Sequence, residues 1–137
     1  VLVDAAVFEC FPYVNELAKV FQIEPDSIKI LYYFPNKKQA NLFEGKSYAD
    51  ADLGFKGRLL VVAAVTYMHT QFDALINFYT EDKLMLNLVS GTAKAKFKIG
   101  FSRINTNIND FSVATSVNNI TEFVSELKKY LTLLKKI

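Results

Sequence analysis

The sequence predicts an α/β protein, a mainly parallel sheet with helices on both faces, and three stretches predict it. Residues 72–79 hold Ala74, Leu75, Ile76 and Phe78 in a nearly continuous apolar run, as in a strand buried on both faces. Residues 83–90 follow with Leu84, Met85, Leu88 and Val89 at helical spacing, an amphipathic stripe. Residues 94–101 then alternate: Lys94, Lys96 and Lys98 on one side, Ala95, Phe97, Ile99 and Phe101 on the other. That period of two is a half-exposed strand. Strand, helix, strand is the unit from which parallel sheets are built.

The rest of the chain fits this unit element by element. Residues 1–5 are apolar apart from Asp4 and read as a first strand. Residues 7–21 place Phe8, Phe11, Val14, Leu17, Ala18 and Phe21 three and four apart, which predicts an amphipathic helix with Pro12 near its first turn. Glu24-Pro25-Asp26 breaks it, and residues 27–34, SIKILYYF, form a second strand rich in β-formers. Residues 35–59 are irregular and hold three of the five glycines; a hairpin or a turn of helix fits there, and a loop this long usually serves function or hides an element. Residues 60–71 read as a helix apolar nearly all round, hence buried. Thr80, Glu81 and Asp82 suit the start of the central helix, and Gly91 suits its end.

After an Asn-rich loop at residues 102–109, residues 111–117 give a fifth strand. Its connection is shorter than the dozen residues a helical crossover takes, so it is either antiparallel or joined by an extended crossover. Residues 117–137 close the chain as a helix. Asn119 and Glu122 resemble a capping box. Ile120, Phe123, Val124, Leu127, Tyr130, Leu131 and Leu134 share one face, and Lys128, Lys129, Lys135 and Lys136 crowd the last turns. The expected architecture is a single domain over residues 1–137, a three-layer α/β/α sandwich around a five-stranded sheet of order 2-1-3-4-5, Rossmann-like or flavodoxin-like.

The runs FDALINFY and AKAKFKIGF, with the closing EFVSELKKYLTLLKKI, resemble an uncharacterised family of Bacteroidetes proteins, a domain of unknown function carrying an FDLLI…SKAKFKVG run. Ala93 stands where that family has serine. The resemblance implies a fold and no known activity. Asp73, Leu75, Ile76, Ile99, Gly100 and Phe101 are also similar to the N-terminal half of bacterial heptosyltransferases, which implies a relationship to sugar-nucleotide transferases.

Composition narrows the function classes. The chain has 137 residues, 51% of them hydrophobic, with twelve Phe and seven Tyr, enough for a substantial core. A formal charge of +2 gives no electrostatic case for nucleic acid. No apolar run approaches the roughly 18 residues of a membrane span, and no secretory signal is visible. The single cysteine, Cys10, forms no internal disulfide, which favours a cytoplasmic setting. The sequence begins at Val1 inside what reads as a strand, so residues are expected to precede it.

The usual motifs are missing. A dinucleotide fingerprint needs glycines after the first strand, where Ala5-Ala6-Val7-Phe8 stands. Gly45-Lys46-Ser47 ends like a phosphate loop, but Ala40 occupies the first glycine position. His69, the one histidine, has no partner pattern for a metal site or a triad, and Cys10 beside Phe8 and Phe11 reads as a small core residue. Lys94, Lys96, Lys98 and Arg103 read as a solvated strand face, with an anion site or an acidic partner as the alternative. No cofactor or metal is expected.

A ligand would bind beyond the carboxyl ends of the strands, where the chain order reverses. Asp4, Asn77, Tyr79 and Thr80 line that crevice, with Asp52 and Lys56 on the loop above it and Gly54 between them as a lid. Glu44, Asp50 and Asp52 come within reach of Asp4, for which capping the first helix, phosphotransfer and magnesium binding are the roles weighed. Glu81 and Asp82 would repel an anion at the helix start. Two functions follow. The first is a non-enzymatic interaction or scaffold domain with an unknown protein partner or small polar ligand, and with homodimerisation open. The second is a degenerate sugar-nucleotide-transferase-like domain keeping an anion or nucleotide site.

Overall fold

A computed structural model describes residues 1–5, 11–54, 57–102, 108–114 and 119–133, with backbone alone at 11–13 and 120. The elements in chain order are β1 (Leu2–Asp4), α1 (Phe11–Phe21), β2 (Leu31–Phe34), α2 (Lys37–Leu42), β3 (Ser47–Ala49), α3 (Val62–His69), β4 (Gln71–Phe72), β5 (Leu75–Phe78), α4 (Leu84–Thr92), β6 (Lys94–Ala95), β7 (Lys98–Phe101), β8 (Phe111–Val113) and α5 (Ile120–Leu133), with 3₁₀ turns at Pro25–Ser27 and Asp50–Asp52. Six strands form one sheet in the order β3-β2-β1-β5-β7-β8, and every neighbouring pair is parallel. The α/β class therefore stands. The five expected strands keep their relative order, and β3, from the irregular loop, adds a sixth at the edge.

Each face of the sheet buries its own cluster. Val3, Ile76, Phe78, Ile99, Phe101 and Val113 pack against Val14 and Leu17 of α1 and Phe123, Val124, Leu127 and Leu131 of α5. On the opposite face Leu2, Leu31, Tyr33, Tyr48, Leu75 and Tyr79 meet Ala64 and Tyr67 of α3 and Met85, Leu86 and Val89 of α4. Alternate residues of each strand supply the two clusters, the period of two at work. Phe78, Phe101 and Phe123 stack with centroids 4.8–5.8 Å apart, a packing preferred for aromatic rings.

Several expectations are corrected. Residues 72–79 are not one strand: β4 and β5 are separated at Asp73 and Ala74, both exposed, because a carboxylate without a buried partner is costly in a layer covered on both sides. The lysine strand divides in the same way, and β4 and β6 pair as a separate two-stranded sheet with Gln71 opposite Lys94. Asp73 and Lys96 form an exposed ion pair at 3.4 Å beside the break. The chain enters α4 at Leu84 behind Lys83, so Thr80-Glu81-Asp82 belongs to the preceding turn. Gly91 lies inside α4; the Lys98 amine donates to the Ser90 carbonyl at 2.7 Å, and the helix closes without a left-handed residue. Lys98 is thus a helix cap rather than a solvated side chain, and burial lowers its pKa.

The helix expected over residues 60–71 spans Val62–His69. It rests with one side on β2, β3 and α4, so Ala64 and Tyr67 are buried while Val62 faces water. The strand expected over residues 27–34 begins at Leu31 after the 3₁₀ turn. β8 is parallel to β7, which removes the antiparallel option. Asn119 does cap the last helix: Glu122 N donates to Asn119 Oδ1 at 3.1 Å, but the return bond to Glu122 Oε2, at 2.8 Å, comes from the side-chain Nδ2 of Asn119 and not from its backbone as in a capping box. Cys10, Arg103, Lys135 and Lys136 lie outside the described residues.

Candidate functional site at the carboxyl edge of the sheet

β1 and β5 are neighbours, with Leu2 opposite Asn77 and Val3 opposite Phe78. From β1 the order runs to β2 and β3 on one side, and from β5 to β7 and β8 on the other. This is the point where chain order reverses and where open α/β sheets leave a crevice. Asp4 ends β1 there with its side chain 1% exposed, and its Oδ2 lies 2.7 Å from Lys83 Nζ, whose side chain is 27% exposed. Lys83 is the N-cap of α4, and its carbonyl accepts from Leu86 and Asn87. A cation is unfavourable beside the positive end of a helix; the Asp4 carboxylate compensates it.

Tyr33 pairs with Asp4 across β1 and β2. Its hydroxyl donates to Asp50 Oδ1 at 2.6 Å. Asp52 closes the 3₁₀ turn by accepting from Ala49 N at 2.8 Å, and its other oxygen pairs with Lys37 Nζ at 2.7 Å. Tyr48 packs on Tyr33 with centroids 5.4 Å apart and donates to the Met85 carbonyl. Tyr79 donates to Asn87 Oδ1 at 2.9 Å, and Asn87 Nδ2 donates to Asp82 Oδ1. Asp4, Tyr48 and Tyr79 thus tie β1, β3 and the end of β5 to the start of α4, while Tyr33 and Lys37 tie β2 and α2 to the 3₁₀ turn after β3.

Burial disfavours the phenolate. It pushes Tyr79 up to about 12 and raises Tyr48. Tyr33 is also raised, by burial first and then by its bond to Asp50 and the charges of Asp50 and Asp4. All three hydroxyls are therefore protonated donors at neutral pH. The arrangement can hold polar groups in place; it offers no phenolate as a base.

The residues expected to line the crevice are distributed unevenly. Asp4 ends β1 at this edge, buried against Lys83, and Thr80 is half-buried in the turn after β5. Tyr79 is buried beneath, bound to Asn87. Asn77 lies deeper, fully buried, with Nδ2 donating to Asn109 Oδ1 at 2.7 Å. Asp52 is on the loop, held by Lys37, and Lys56 lies outside the described residues. Asp50 and Asp4 both act on Tyr33, Asp50 through the hydroxyl bond and its charge and Asp4 through its charge, whereas Glu44 is exposed. His69 is on the surface in the last turn of α3, with Nδ1 donating to the Val65 carbonyl at 2.8 Å. Sequence reasoning missed Lys83, Tyr33 and Lys37. The signal for Lys83 was a cation at a helix start, which calls for a compensating anion. Among the described residues, no cluster of three or more His, Cys, Asp or Glu side chains could hold a metal ion, and no helix is long and apolar enough to cross a membrane.

Fold and edge together define a doubly wound parallel α/β domain whose switch point is closed by an aspartate–lysine pair over a layer of tyrosines. The chain belongs to the family of unknown function DUF6913, which matches residues 1–134. No curated protein and no solved structure matches it.

Proposed function

We propose that the chain is a non-enzymatic interaction domain of a bacterial cytoplasmic protein, docking a protein partner on the carboxyl edge of its sheet. One observation carries this reading: Leu60, Val62 and Leu84 stand 69%, 77% and 72% exposed before and at the starts of α3 and α4. In a parallel sheet both helix starts lie at the carboxyl edge. A single exposed aliphatic side chain needs no explanation, but several on one rim favour an interaction surface. The carboxylates below them are bound within the chain, Asp4 to Lys83, Asp52 to Lys37 and Asp50 to Tyr33, which suits a rigid platform better than a reaction centre. The cytoplasmic and bacterial setting rests on the lone cysteine and the resemblance to Bacteroidetes proteins. The test is quantitative affinity capture with the unaltered chain and a Leu60→Asp/Leu84→Asp variant of equal helicity. Loss of a stoichiometric partner from the variant is expected; identical captured sets would sink the reading.

A second reading keeps the transferase likeness: a degenerate sugar-nucleotide-transferase-like domain binding a small polar anion. The partly exposed amines of Lys37 and Lys83 at this same edge favour it. A saturable rise in melting temperature with a nucleotide or sugar nucleotide would select this reading over the first.

A further inference from the structure

We propose that Asn77, Gly100 and Asn109 form a register lock that holds the edge strand β8 closed against β7, a conformational device independent of what docks at the carboxyl edge. β8 is three residues long and ends the sheet. The connection into it, between Phe101 and Phe111, is shorter than the dozen residues of a helical crossover, so no packed helix fixes where the strand begins. Short edge strands fray and slip in register unless something specific holds them. The apolar pattern does so only in part. A slip of one residue turns Phe111 and Val113 away from α5, but a slip of two keeps every side chain on its face. Phe111 stacks on Tyr130 with centroids 4.0 Å apart, an apolar contact without direction that Val113 would take up after such a slip. The backbone is equally indifferent. Asp110 N donates to the Lys98 carbonyl at 2.8 Å, and Asp110 Oδ2 accepts from Lys98 N at 2.7 Å, partners that recur along any strand.

Two residues mark a single register. Asn77 is the one polar side chain of β5 and is fully buried. Gly100, opposite it across the ladder, is the one glycine of β7. The Asn109 carboxamide lies over Gly100, so close that a Cβ there would be 2.5 Å from its Nδ2 and 3.0 Å from its Cγ. From that place Asn109 Oδ1 accepts from Asn77 Nδ2 at 2.7 Å. A buried amide without a partner is costly, and of the β7 residues Gly100 alone leaves the space through which Asn109 reaches it. A slip of two residues carries the Asn109 side chain about 7 Å along the sheet, toward Lys98 or Ser102, and strands Asn77. Asn77 Oδ1 and Asn109 Nδ2 have no hydrogen-bond partner among the described residues. A buried pair bonded at one end adds little net stability. What it supplies is a unique register, the role a single buried asparagine plays in a coiled coil.

The test is native-state hydrogen exchange of the 137-residue chain, read at the two ends of the β7–β8 ladder. These are the Asp110 amide on the Lys98 carbonyl and the Ser102 amide on the Val113 carbonyl; the Leu75 amide on the Phe97 carbonyl is the internal reference. In the unaltered chain both ladder ends should be protected to within about tenfold of Leu75. A larger deficit shows that β8 frays freely and overturns the lock. Asn109→Ala should lower the protection of both ends relative to Leu75 by about tenfold or more. A loss of overall stability opens all three amides alike and does not imitate this. Asn77→Leu, which removes the other half of the pair, should give the same selective loss. A ratio that falls by less than tenfold in Asn109→Ala overturns the proposal and leaves β8 to its contact with Tyr130. So does a selective loss in Asn109→Ala that Asn77→Leu does not reproduce.

Discussion

Lys83→Met is the sharpest probe of the switch point. The substitution keeps the length and apolar stem of the side chain and deletes the ammonium, so the Asp4 carboxylate, 1% exposed, loses the cation 2.7 Å away. Breaking a buried ion pair by removing one partner costs about 3–5 kcal/mol. Lys83 is itself 27% exposed, so water can follow the missing amine part of the way and lower the figure to about 2–3 kcal/mol. For a domain of 137 residues, a melting entropy of roughly 2.1 cal/mol/K per residue turns this into a fall of about 7–10 °C. The informative comparison is Asp4→Asn/Lys83→Met, which removes both charges. If the damage comes from a stranded carboxylate, the double variant is more stable than Lys83→Met alone, a non-additivity expected of residues in contact. Urea unfolding followed by circular dichroism measures the wild type, Lys83→Met, Asp4→Asn and the double variant. A loss under half a kcal/mol for Lys83→Met, or additive costs in the double variant, would refute an ion pair that closes the sheet edge.

Three further outcomes follow from the packing. Gly100→Ala places a methyl carbon 2.5 Å from Asn109 Nδ2 and should destabilise by about 1–3 kcal/mol; adding Asn109→Ala should remove most of that increment, and an unchanged increment by urea titration would contradict the clash. Leu75→Ala, at a fully buried position of β5, should cost about 2–5 kcal/mol; a loss below half a kcal/mol in the same assay would contradict central burial. Stability should be constant in its tyrosine contribution below pH 10 and fall between about pH 10 and 12, because phenols of the unfolded chain ionise near 10 while Tyr79 holds its proton to about 12 and Tyr33 and Tyr48 are raised as well. Phenolate absorbance rising with ordinary pKa values in the folded chain would show that the three rings are not buried as described.

The layers were legible where burial is written into local pattern. The Leu75–Phe78 run is apolar at all but Asn77 because both faces are covered, and α5 shows its core face because a helix on one side of a sheet needs a stripe. β3 was hidden for the opposite reason. Three residues, Ser47–Ala49, follow a glycine and two polar residues, and no periodicity can be read over so short a length. Tyr48 becomes core only because Tyr33 and the Met85 carbonyl come to it from distant parts of the chain. The exposed Val62 face of α3 was unreadable in the same way, since an all-apolar helix announces burial but not how many neighbours it will find.

The candidate site was half legible. Asp4 could be placed at the edge because strand ends can be placed, but its partner is 79 residues away, and ion pairs at that separation leave no trace in local spacing. One local feature did point to it. Glu81-Asp82-Lys83 puts two acids and then a base at the entrance of a helix, and helix electrostatics favours the acids in the first turn. The fold does the reverse: the acids remain in the turn, and Lys83 occupies the cap. A residue in the position its local preference disfavours must be held by something non-local, here the buried carboxylate of Asp4. Reversing that order, with Asp82 and Lys83 exchanged, would satisfy the dipole and strand Asp4, so the tertiary pair explains the sequence order where helix propensity alone does not.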